Sequence, residues 1–273
     1  MKNILITGCS TGIGLETAIT LNNNNIKVYA TARDEKDVEY LKTLGLISFK
    51  LDVTKEEDIT NALEYILKED NKIDAVFNNA GFGQPGAVED ISTKALKEQF
   101  ETNFFGLHEV TIQSMKIFRK QGYGKIIQHS SVLGIISLKF RGAYNASKYA
   151  IEGINDTLRL ETLNSNIFIS TINTGPVTSK FRENALKKFN KNINIEDSFW
   201  TDTYKKELKA RLETNEDKAP FNLPASSVAN IVLKIMNTTK PKPRYYVTKA
   251  TYILGFAKRV LSTNLLDKLL NKI

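Results

Sequence analysis

The chain opens with a short apolar segment that runs directly into a turn rich in glycine. Residues 2–7 read as a buried β-strand, and Gly8, Gly12 and Gly14 follow in the order T-G-x-x-x-G-I-G. A helical pattern begins within the turn, at Ile13, Thr17, Ala18 and Leu21. Glycines permit a tight turn and close approach of the backbone, so the N–H groups that start the helix can face a dinucleotide pyrophosphate. The alternative is an ordinary connection between a strand and a helix, whose glycines bind nothing.

Strand and helix patterns alternate along the rest of the chain. Further strands are predicted at residues 26–31, 46–51, 73–78, 125–131, 166–173 and 245–247. Further helices are predicted at residues 35–44, 55–69, 92–119, 143–164 and 225–238. This alternation predicts an α/β fold of the Rossmann type, a doubly wound and mostly parallel sheet flanked by helices. Ligands of such a sheet bind beyond the carboxyl ends of its strands.

Composition is that of one globular unit of ordinary polarity. Of the 273 residues, 41% are apolar and 25% are charged, and no linker or internal repeat divides them. We therefore expect a single domain over residues 1–273. No apolar run is long enough to cross a bilayer, and the start of the chain lacks the pattern of a signal peptide. With Cys9 as the single cysteine, no internal disulfide can form, and a cytoplasmic location is expected.

The formal net charge of +8 raises the question of acidic partners. The lysines are dispersed, without a basic run or an interleaved aromatic platform, so nucleic-acid binding is not expected. No metal site is expected either, because His108 and His129 belong to no metal-ligating constellation and fit structural roles. Cys9 is expected to be a small packing residue rather than a nucleophile.

A tyrosine and a lysine four residues apart are the candidate chemical groups. Tyr144 and Lys148 share one face of the predicted helix 143–164, because residues i and i+4 are neighbours on a helix. An ammonium near the phenol favours the phenolate, whose usual pKa of about 10 is too high for proton transfer near neutrality. Ser131, at the end of a predicted strand, offers a hydroxyl. Such a tyrosine–lysine pair also occurs by accident on solvated helices, so the motifs around it must support it.

With these segments in view, the chain resembles the short-chain dehydrogenase/reductase family over about residues 2–182. The matching motifs are the turn TGCSTGIG, the segment Asn78-Asn79-Ala80-Gly81, Asn103, Ser131 and the pair Tyr144 and Lys148. The segments GCSTGIG, ATARD, NNAGFGQPGAVED and NTGPVTSKF are similar to the branch that holds hydroxysteroid and retinol dehydrogenases. The resemblance implies an oxidoreductase that interconverts an alcohol and a ketone or aldehyde, commonly as a homodimer or homotetramer.

The resemblance also implies a role for each catalytic residue. Tyr144 would exchange a proton with the substrate oxygen, and Ser131 would orient that oxygen. Lys148 would bind the ribose of the nicotinamide, and Asn103 would hold a water that links the lysine to solvent. Ser130 would project to the opposite side of its strand, which leaves Ser131 as the serine in the site.

A nicotinamide cofactor is implied along the carboxyl edge of the sheet. The implied cofactor-binding residues are Gly8, Ser10, Thr11, Gly12, Ile13, Gly14, Arg33, Asp52, Val53, Asn79, Ala80, Gly81, Tyr144, Lys148, Gly175, Val177 and Ser179. Arg33 can bind a 2′-phosphate with a planar pair of donors and Thr11 can add a hydroxyl, which favours NADP(H). Asp34 has the spacing of an acidic residue that binds a ribose 2′-hydroxyl, so NAD(H) stays open.

The loop at residues 173–179 and the residue Asn78 each require a further comment. Thr174 stands where the family commonly has proline, and Ser179 fits either a cofactor contact or a helix N-cap. Asn78 is expected to brace neighbouring strands rather than to take part in the chemistry.

Substrate identity is the least constrained property. Residues 180–222 contain several aromatic side chains and are interpreted as a mobile lid over an apolar substrate, although packing roles fit the same residues. Residues 249–273 read as a helical extension that packs or joins subunits, with contact to a membrane surface less favoured. The leading hypothesis is a small lipophilic alcohol or carbonyl compound as substrate. The alternatives are reduction of a 3-oxoacyl thioester and a non-catalytic protein that senses NADP.

Overall fold

The computed structural model describes residues 1–213 and 220–273, and a parallel β-sheet forms its centre. The strands are β1 Asn3–Ile6, β2 Lys27–Ala32, β3 Ile47–Lys50, β4 Ala75–Asn78, β5 Tyr123–Ser131, β6 Asn166–Thr174 and β7 Arg244–Tyr246. They lie in the order β3-β2-β1-β4-β5-β6-β7, and each neighbouring pair is parallel. The order reverses between β1 and β4, so a ligand crevice is expected at the carboxyl ends of these two strands. The predicted fold class is confirmed.

Helices connect the strands and cover both faces of the sheet. They are α1 Gly12–Asn22, α2 Glu35–Thr43, α3 Glu56–Asp70, α4 Thr93–Phe100, α5 Leu107–Gln121, α6 Gly142–Glu161, α7 Phe181–Asn192, α8 Thr201–Thr203, α9 Lys209–Glu213, α10 Ser226–Asn237, α11 Lys249–Val260 and α12 Thr263–Leu270. Short 3-10 turns lie at Val88–Asp90 and Val132–Gly134. Wider π-helical turns lie at Glu101–Gly106 and Tyr204–Leu208.

Alternating side chains of the central strands divide the core into two layers. Ile4 and Ile6 of β1 face one side, where they pack with α1, α2 and α10. Leu5 faces the other side, where it packs with α3 and α5. The strands are apolar on both faces because helices cover both faces, as expected for a parallel sheet.

The predicted helix over residues 92–119 is wrong in one respect, because it is interrupted. The structure has α4, then the π-helical turn Glu101–Gly106, then α5. Gly106 lies so close to the loop after β3 that an added Cβ would be 2.6 Å from the carbonyl oxygen of Val53. The widened turn also carries Asn103, which is buried. A single wider turn leaves the apolar period nearly unchanged, which is why the sequence pattern did not indicate it.

The segment after β6 packs as a small aromatic cluster beside the sheet. Phe189 and Tyr204 are fully buried in it, together with Ala87, Ile193 and Leu208. The backbone N–H of Ala87 donates a hydrogen bond to the Tyr204 hydroxyl at 2.7 Å. These contacts support the packing interpretation for Phe189 and Tyr204. Residues 214–219 of the proposed lid lie outside the described residues.

The last part of the chain is helical, as predicted, but it forms two helices. Thr248 caps α11 by accepting a hydrogen bond from the N–H of Thr251, and Ser262 precedes α12. Leu254 and Leu270 pack onto an apolar cluster formed by Val132, Leu133 and Ile136. Among the residues that the structure describes, no helix is long and apolar enough to cross a membrane.

Candidate active site

The glycine turn between β1 and α1 is too closely packed to carry side chains. Gly8 and Gly12 have positive φ angles of 72° and 60°, in the region that favours glycine. A Cβ on Gly8 would lie 2.8 Å from the Cα of Ala80, and a Cβ on Gly14 would lie 2.2 Å from the carbonyl oxygen of Gly8. The N–H of Cys9 donates to the carbonyl of Thr31 at 2.7 Å, which fixes the turn against β2. Residues 10–13 at the start of α1 are only half-buried, so a ligand can approach the backbone there.

The Asn78-Asn79-Ala80-Gly81 segment holds this turn in place. The Thr7 hydroxyl accepts hydrogen bonds from the N–H groups of Asn79 and Ala80, both at 3.0 Å. The Asn79 amide donates back to the carbonyls of Thr7 and Gly8. The Asn79 side-chain amide therefore donates its hydrogen bonds to the protein. Asn79 can contact a cofactor only through its backbone or through the edge of its side chain.

Asn78 acts as the brace that the sequence predicts. Its buried amide donates to the Thr111 hydroxyl at 3.1 Å and to the Gln128 side-chain oxygen at 2.9 Å. These bonds tie β4 to β5 and α5, and they turn the side chain away from the crevice.

Three predicted cofactor residues lie at the ends of β2 and β3. The Arg33 side chain is 69% exposed, and its contact with Asp34 is loose, at 3.8 Å between charged atoms. Asp52 follows β3, where one carboxylate oxygen accepts hydrogen bonds from the backbone and hydroxyl of Thr54. Val53 is buried against Gly106. Arg33 is therefore exposed enough to meet a ligand at this edge, whereas Asp52 and Val53 are held by the fold.

Ser131, Tyr144 and Lys148 meet where β5 ends and α6 begins. The Lys148 ammonium lies 5.6 Å from the centroid of the Tyr144 ring and donates a 2.6 Å hydrogen bond to the carbonyl of His129. The Ser131 hydroxyl accepts from the N–H of Leu133 at 3.1 Å and interacts with the Tyr144 phenol. The spacing of residues i and i+4 on α6 thus brings the phenol and the ammonium to one side, as the sequence predicts.

The ionisation of this group is governed by burial. Burial raises the pKa of the Tyr144 phenol to about 12, against the opposing effects of the Ser131 hydrogen bond and of Arg141. Burial lowers the pKa of Lys148 to about 8, although Glu152 raises it in part. The expectation that Lys148 makes the phenol more acidic is not met in this structure, because the loss of solvation is the larger effect. Near neutral pH the phenol holds its proton and can donate it.

Asn103 makes direct hydrogen bonds to the loop after Gly81. Its side-chain oxygen accepts from the N–H of Phe82 at 3.0 Å, and its amide donates to the carbonyl of Phe82 at 2.9 Å. A longer contact of 3.4 Å reaches the Ser147 hydroxyl. Asn103 therefore fixes the loop after Gly81, next to α6, through direct hydrogen bonds.

The loop after β6 closes the crevice from the other side. A Cβ on Gly175 would lie 2.1 Å from the Thr248 hydroxyl oxygen, so the start of α11 packs directly on this loop. Val177 is buried and forms a β-bridge with Leu223. Ser179 lies beside the glycine turn, since a Cβ on Gly12 would be 3.1 Å from the Cβ of Ser179. Its hydroxyl also accepts a 3.3 Å bond from the N–H of Phe181. The loop and the turn therefore lie on one crevice.

The sequence did not indicate the ion pair behind the catalytic helix. Glu152 lies one turn after Lys148 on α6 and accepts hydrogen bonds from Ser130 at 2.5 Å and Asn173 at 2.6 Å. Its other oxygen pairs with Arg244 of β7 at 2.6 Å. Asn173 also donates to the carbonyl of Ser131. A buried carboxylate thus joins β5, β6 and β7 to α6 beneath the site.

Phe181, the first residue of α7, belongs to the segment 180–222, which is interpreted from the sequence as an aromatic lid. Its ring lies edge-on to the Tyr144 ring, with centroids 5.2 Å apart. A Cβ on Gly83 would be 2.7 Å from this ring, so Gly83 makes room for it. One side of the Tyr144 ring is therefore bordered by an aromatic ring.

Groups suited to metal or thiol chemistry are not assembled at this site. No cluster of three or more histidine, cysteine, aspartate or glutamate residues that could bind a metal occurs in ranges 1–213 and 220–273. Burial raises the pKa of the Cys9 thiol to about 12, which makes it a poor nucleophile. The His129 ring contacts Asn79 and Thr174 at 3.0 and 3.3 Å, a structural role.

Comparison with known proteins assigns the family. A family model for short chain dehydrogenases matches residues 2–190. The chain belongs to the short-chain dehydrogenase/reductase family of oxidoreductases, as the motifs predicted.

The relatives match between two thirds and almost all of the chain. The uncharacterized oxidoreductase YbbO of Escherichia coli K12 is 37% identical over 270 residues, which are 98% of this chain and 94% of YbbO. Human retinol dehydrogenase 8 is 37% identical over 190 residues, which are 66% of this chain and 60% of that protein. The expected similarity to the branch with retinol dehydrogenases is confirmed.

A solved structure supports the fold. The short-chain dehydrogenase/reductase of Burkholderia phymatum in complex with NAD superposes with a TM-score of 0.78 at 21% identity, and the match covers 99% of this chain and 95% of that one. At this identity the match shows the fold of this chain.

Proposed function

We propose that the protein is an NADP(H)-dependent oxidoreductase that interconverts an alcohol and a ketone or aldehyde, with Tyr144 as general acid and base. The observation that carries this proposal is the meeting of Tyr144 with Ser131 and Lys148. Lys148 bonds the carbonyl of His129, and the His129 ring contacts Asn79, which bonds the glycine turn. A bound nicotinamide would supply or accept the hydride, and the protein would supply the proton.

The residues of the chain divide the remaining work. In reduction, the protonated phenol of Tyr144 donates to the oxygen of the substrate carbonyl, and the Ser131 hydroxyl orients that oxygen. Burial keeps the phenol protonated before the reaction, and the Lys148 ammonium beside the ring would offset part of the negative charge that remains on the phenolate after donation. Glu152 holds Ser130 and Asn173, and Asn173 bonds the carbonyl of Ser131. Glu152 is a positioning residue.

The backbone of the glycine turn and the charge of Arg33 are both suited to binding a dinucleotide. Gly8, Gly12 and Gly14 leave the start of α1 open to a pyrophosphate. The Thr11 side chain makes no capping bond to α1, so its hydroxyl can serve a ligand. Arg33 is an exposed cation beyond β2, and this group supports the preference for a 2′-phosphate over a 2′-hydroxyl.

The surroundings of the phenol favour a lipophilic substrate. Tyr144 belongs to an apolar cluster with Val132, Leu133 and Leu254, and the Phe181 ring lies against it. An apolar pocket binds an apolar alcohol or ketone by removing both surfaces from water. The human relative is named for retinol, which is a lipophilic alcohol. From this relative we infer for the present chain only that its substrate is lipophilic.

Consumption of NADPH across a panel of substrates tests the proposal. The panel holds apolar ketones and aldehydes, short polar ketones, and a 3-oxoacyl thioester, each with NADPH and with NADH. We expect turnover of the apolar carbonyl compounds with NADPH. Preferred turnover of the thioester would support the alternative reductase, and tight NADPH binding without turnover of any carbonyl compound would support a sensor.

Assembly into a homodimer or homotetramer remains part of this proposal. Exposed apolar side chains at Leu160 and Leu163, at the end of α6, are available for contact between subunits. Light scattering of the purified protein measures the molecular mass, and a monomer at assay concentration would contradict this expectation.

A further inference from the structure

Helix α11 is apolar on the side that faces solvent. Tyr252, Ile253, Phe256 and Val260 lie on that side, and Phe256 is 67% exposed. The opposite side is buried, and Leu254 packs there onto the cluster near Tyr144. A surface helix normally has apolar residues only on the side that faces the core. Helix α11 differs, because it has apolar residues on its buried side and on its exposed side. A contiguous exposed apolar surface marks a site of interaction.

Helix α12 extends this surface. Leu265 and Leu269 are exposed, whereas Leu266 is buried and Leu270 packs on the same cluster as Leu254. Both helices thus pack on the same apolar cluster, and both expose further apolar side chains to solvent. The exposed set, called here the C-terminal apolar face, consists of Tyr252, Ile253, Phe256, Val260, Leu265 and Leu269.

The charges around the C-terminal apolar face are nearly all positive. Residues 249–273 contain five basic side chains and one acidic side chain, Asp267. All five basic residues are exposed: Lys249, Lys258, Arg259, Lys268 and Lys272. Two copies of this face in contact would bring like charges together, which opposes a symmetric dimer there. Anionic lipid headgroups attract the same charges, and the long basic side chains can reach them while apolar neighbours enter the acyl region.

We propose that the C-terminal apolar face binds the surface of an anionic lipid bilayer. Helices α11 and α12 would lie in the plane of the interface, with their apolar side chains in the acyl boundary and their basic side chains among the headgroups. This is peripheral binding, since neither helix is long enough to span a bilayer.

The position of the face beside the active site gives membrane binding a consequence. Leu254 and Leu270 share a cluster with Tyr144, and Thr248 at the start of α11 packs on Gly175. A lipophilic substrate dissolved in the bilayer would therefore reach the phenol past two short helices. This consequence rests on the proposed function, whereas membrane binding does not.

Sedimentation of the full chain with vesicles tests the proposal. One set of vesicles contains phosphatidylcholine alone, and the other also contains phosphatidylglycerol. We expect binding to the anionic vesicles that weakens as salt is raised, because the Debye length is about 10 Å at 0.1 M ionic strength and shortens further above it. Phe256→Ser should weaken binding about tenfold, since it removes one aromatic side chain from the interface.

Phe199→Ser is the matched control. Phe199 is 87% exposed and lies in the segment after α7, outside the C-terminal apolar face. Its replacement should leave vesicle binding unchanged, and circular dichroism should show that both variants fold. Absence of binding to anionic vesicles would overturn the proposal, as would equal loss of binding in both variants. The proposal would also be overturned if the wild type did not bind vesicles and Phe256→Ser had a lower molecular mass in solution than the wild type. The C-terminal apolar face would then join two copies of the chain. NADPH turnover does not enter any of these results.

Discussion

The phenol of Tyr144 supplies the proton that the proposed reduction needs, and burial keeps that proton in place. Burial raises the pKa of the phenol to about 12, and the Ser131 hydrogen bond acts in the opposite direction. Reduction uses the protonated phenol and oxidation uses the phenolate. At neutral pH the phenol is therefore in the protonated form that the proposed reduction uses.

In the proposed function, Arg33 provides the preference for NADPH over NADH. We expect Arg33→Ala to weaken NADPH binding about 10–100-fold, since a charge-assisted pair to the 2′-phosphate is lost. NADH binding should change little. Lys36→Ala, an exposed cation in α2, serves as the control for loss of one positive charge. Fluorescence titration with both cofactors measures the effect, and an equal loss for NADPH and NADH would contradict the role of Arg33.

His129 should make the protein sensitive to acid. Burial, with a smaller effect of Lys148, lowers the pKa of this imidazole to about 3, whereas an unfolded histidine has a pKa of about 6.5. Between these values the unfolded state binds more protons, so stability falls as the pH falls. The free energy of unfolding should drop by up to about 1.4 kcal/mol per pH unit below 6.5.

Urea unfolding across this pH range measures that slope. We expect His129→Gln to flatten the slope, while His108→Gln, which changes the other histidine, keeps it. Identical slopes for the wild type and His129→Gln would show that other groups cause the acid sensitivity.

At the scale of elements, the turn between β1 and α1 depends on the absence of a side chain at Gly14. An added Cβ there would lie 2.2 Å from the Gly8 carbonyl oxygen and 2.5 Å from the Asn79 amide. We expect Gly14→Ala to cost at least about 2 kcal/mol of stability and to abolish NADPH binding, because the turn must shift. The measurements are urea unfolding and NADPH titration.

Gly153→Ala in α6 is the matched control for this change. Nothing lies within 4 Å of an added Cβ at Gly153. Since alanine is the better helix former, we expect this variant to gain about 0.5–1 kcal/mol and to bind NADPH normally. Normal NADPH binding by Gly14→Ala would argue against a close turn at the cofactor.

Elements with a strong local pattern could be predicted from the sequence. All the strands of the described sheet were expected close to their observed positions, because continuous apolar runs between turns indicate buried strands. Helix α7 was not expected as a helix, since it buries only Ala185 and Phe189 over twelve residues. The π-helical turn at Asn103 was missed because it alters hydrogen bonding more than apolar spacing.

The parts of the candidate site whose residues are close together in sequence could be predicted. The glycine turn and the pair Tyr144 and Lys148 have fixed spacings that carry the chemistry. The contact between Glu152 and Arg244 joins residues 92 positions apart, and no local pattern marks it. The raised pKa of Tyr144 also depends on burial, which only the packed structure reveals.

At the scale of the whole molecule, the pair of Glu152 and Arg244 joins the last strand to the centre of the site. Arg244→Met would leave the buried Glu152 carboxylate without its cation, at a cost of about 2 kcal/mol once the partial exposure of Arg244 is allowed for. Adding Glu152→Gln should recover most of this loss, because the uncompensated charge is then gone. Urea unfolding of the single and double variants measures both steps. Additive losses in the double variant would contradict a direct coupling.

The central claim is that the Tyr144 phenol transfers the proton, and Tyr144→Phe tests it most directly. Tyr149→Phe is the control, because Tyr149 lies on the same helix and its hydroxyl bonds only the carbonyl of Ile135 among the described contacts. The measurement is turnover of an accepted carbonyl substrate, with NADPH binding determined on the same samples. We expect Tyr144→Phe to lose about 10²–10⁴-fold in turnover with NADPH binding retained, and Tyr149→Phe to remain active. Undiminished turnover by Tyr144→Phe would contradict the account.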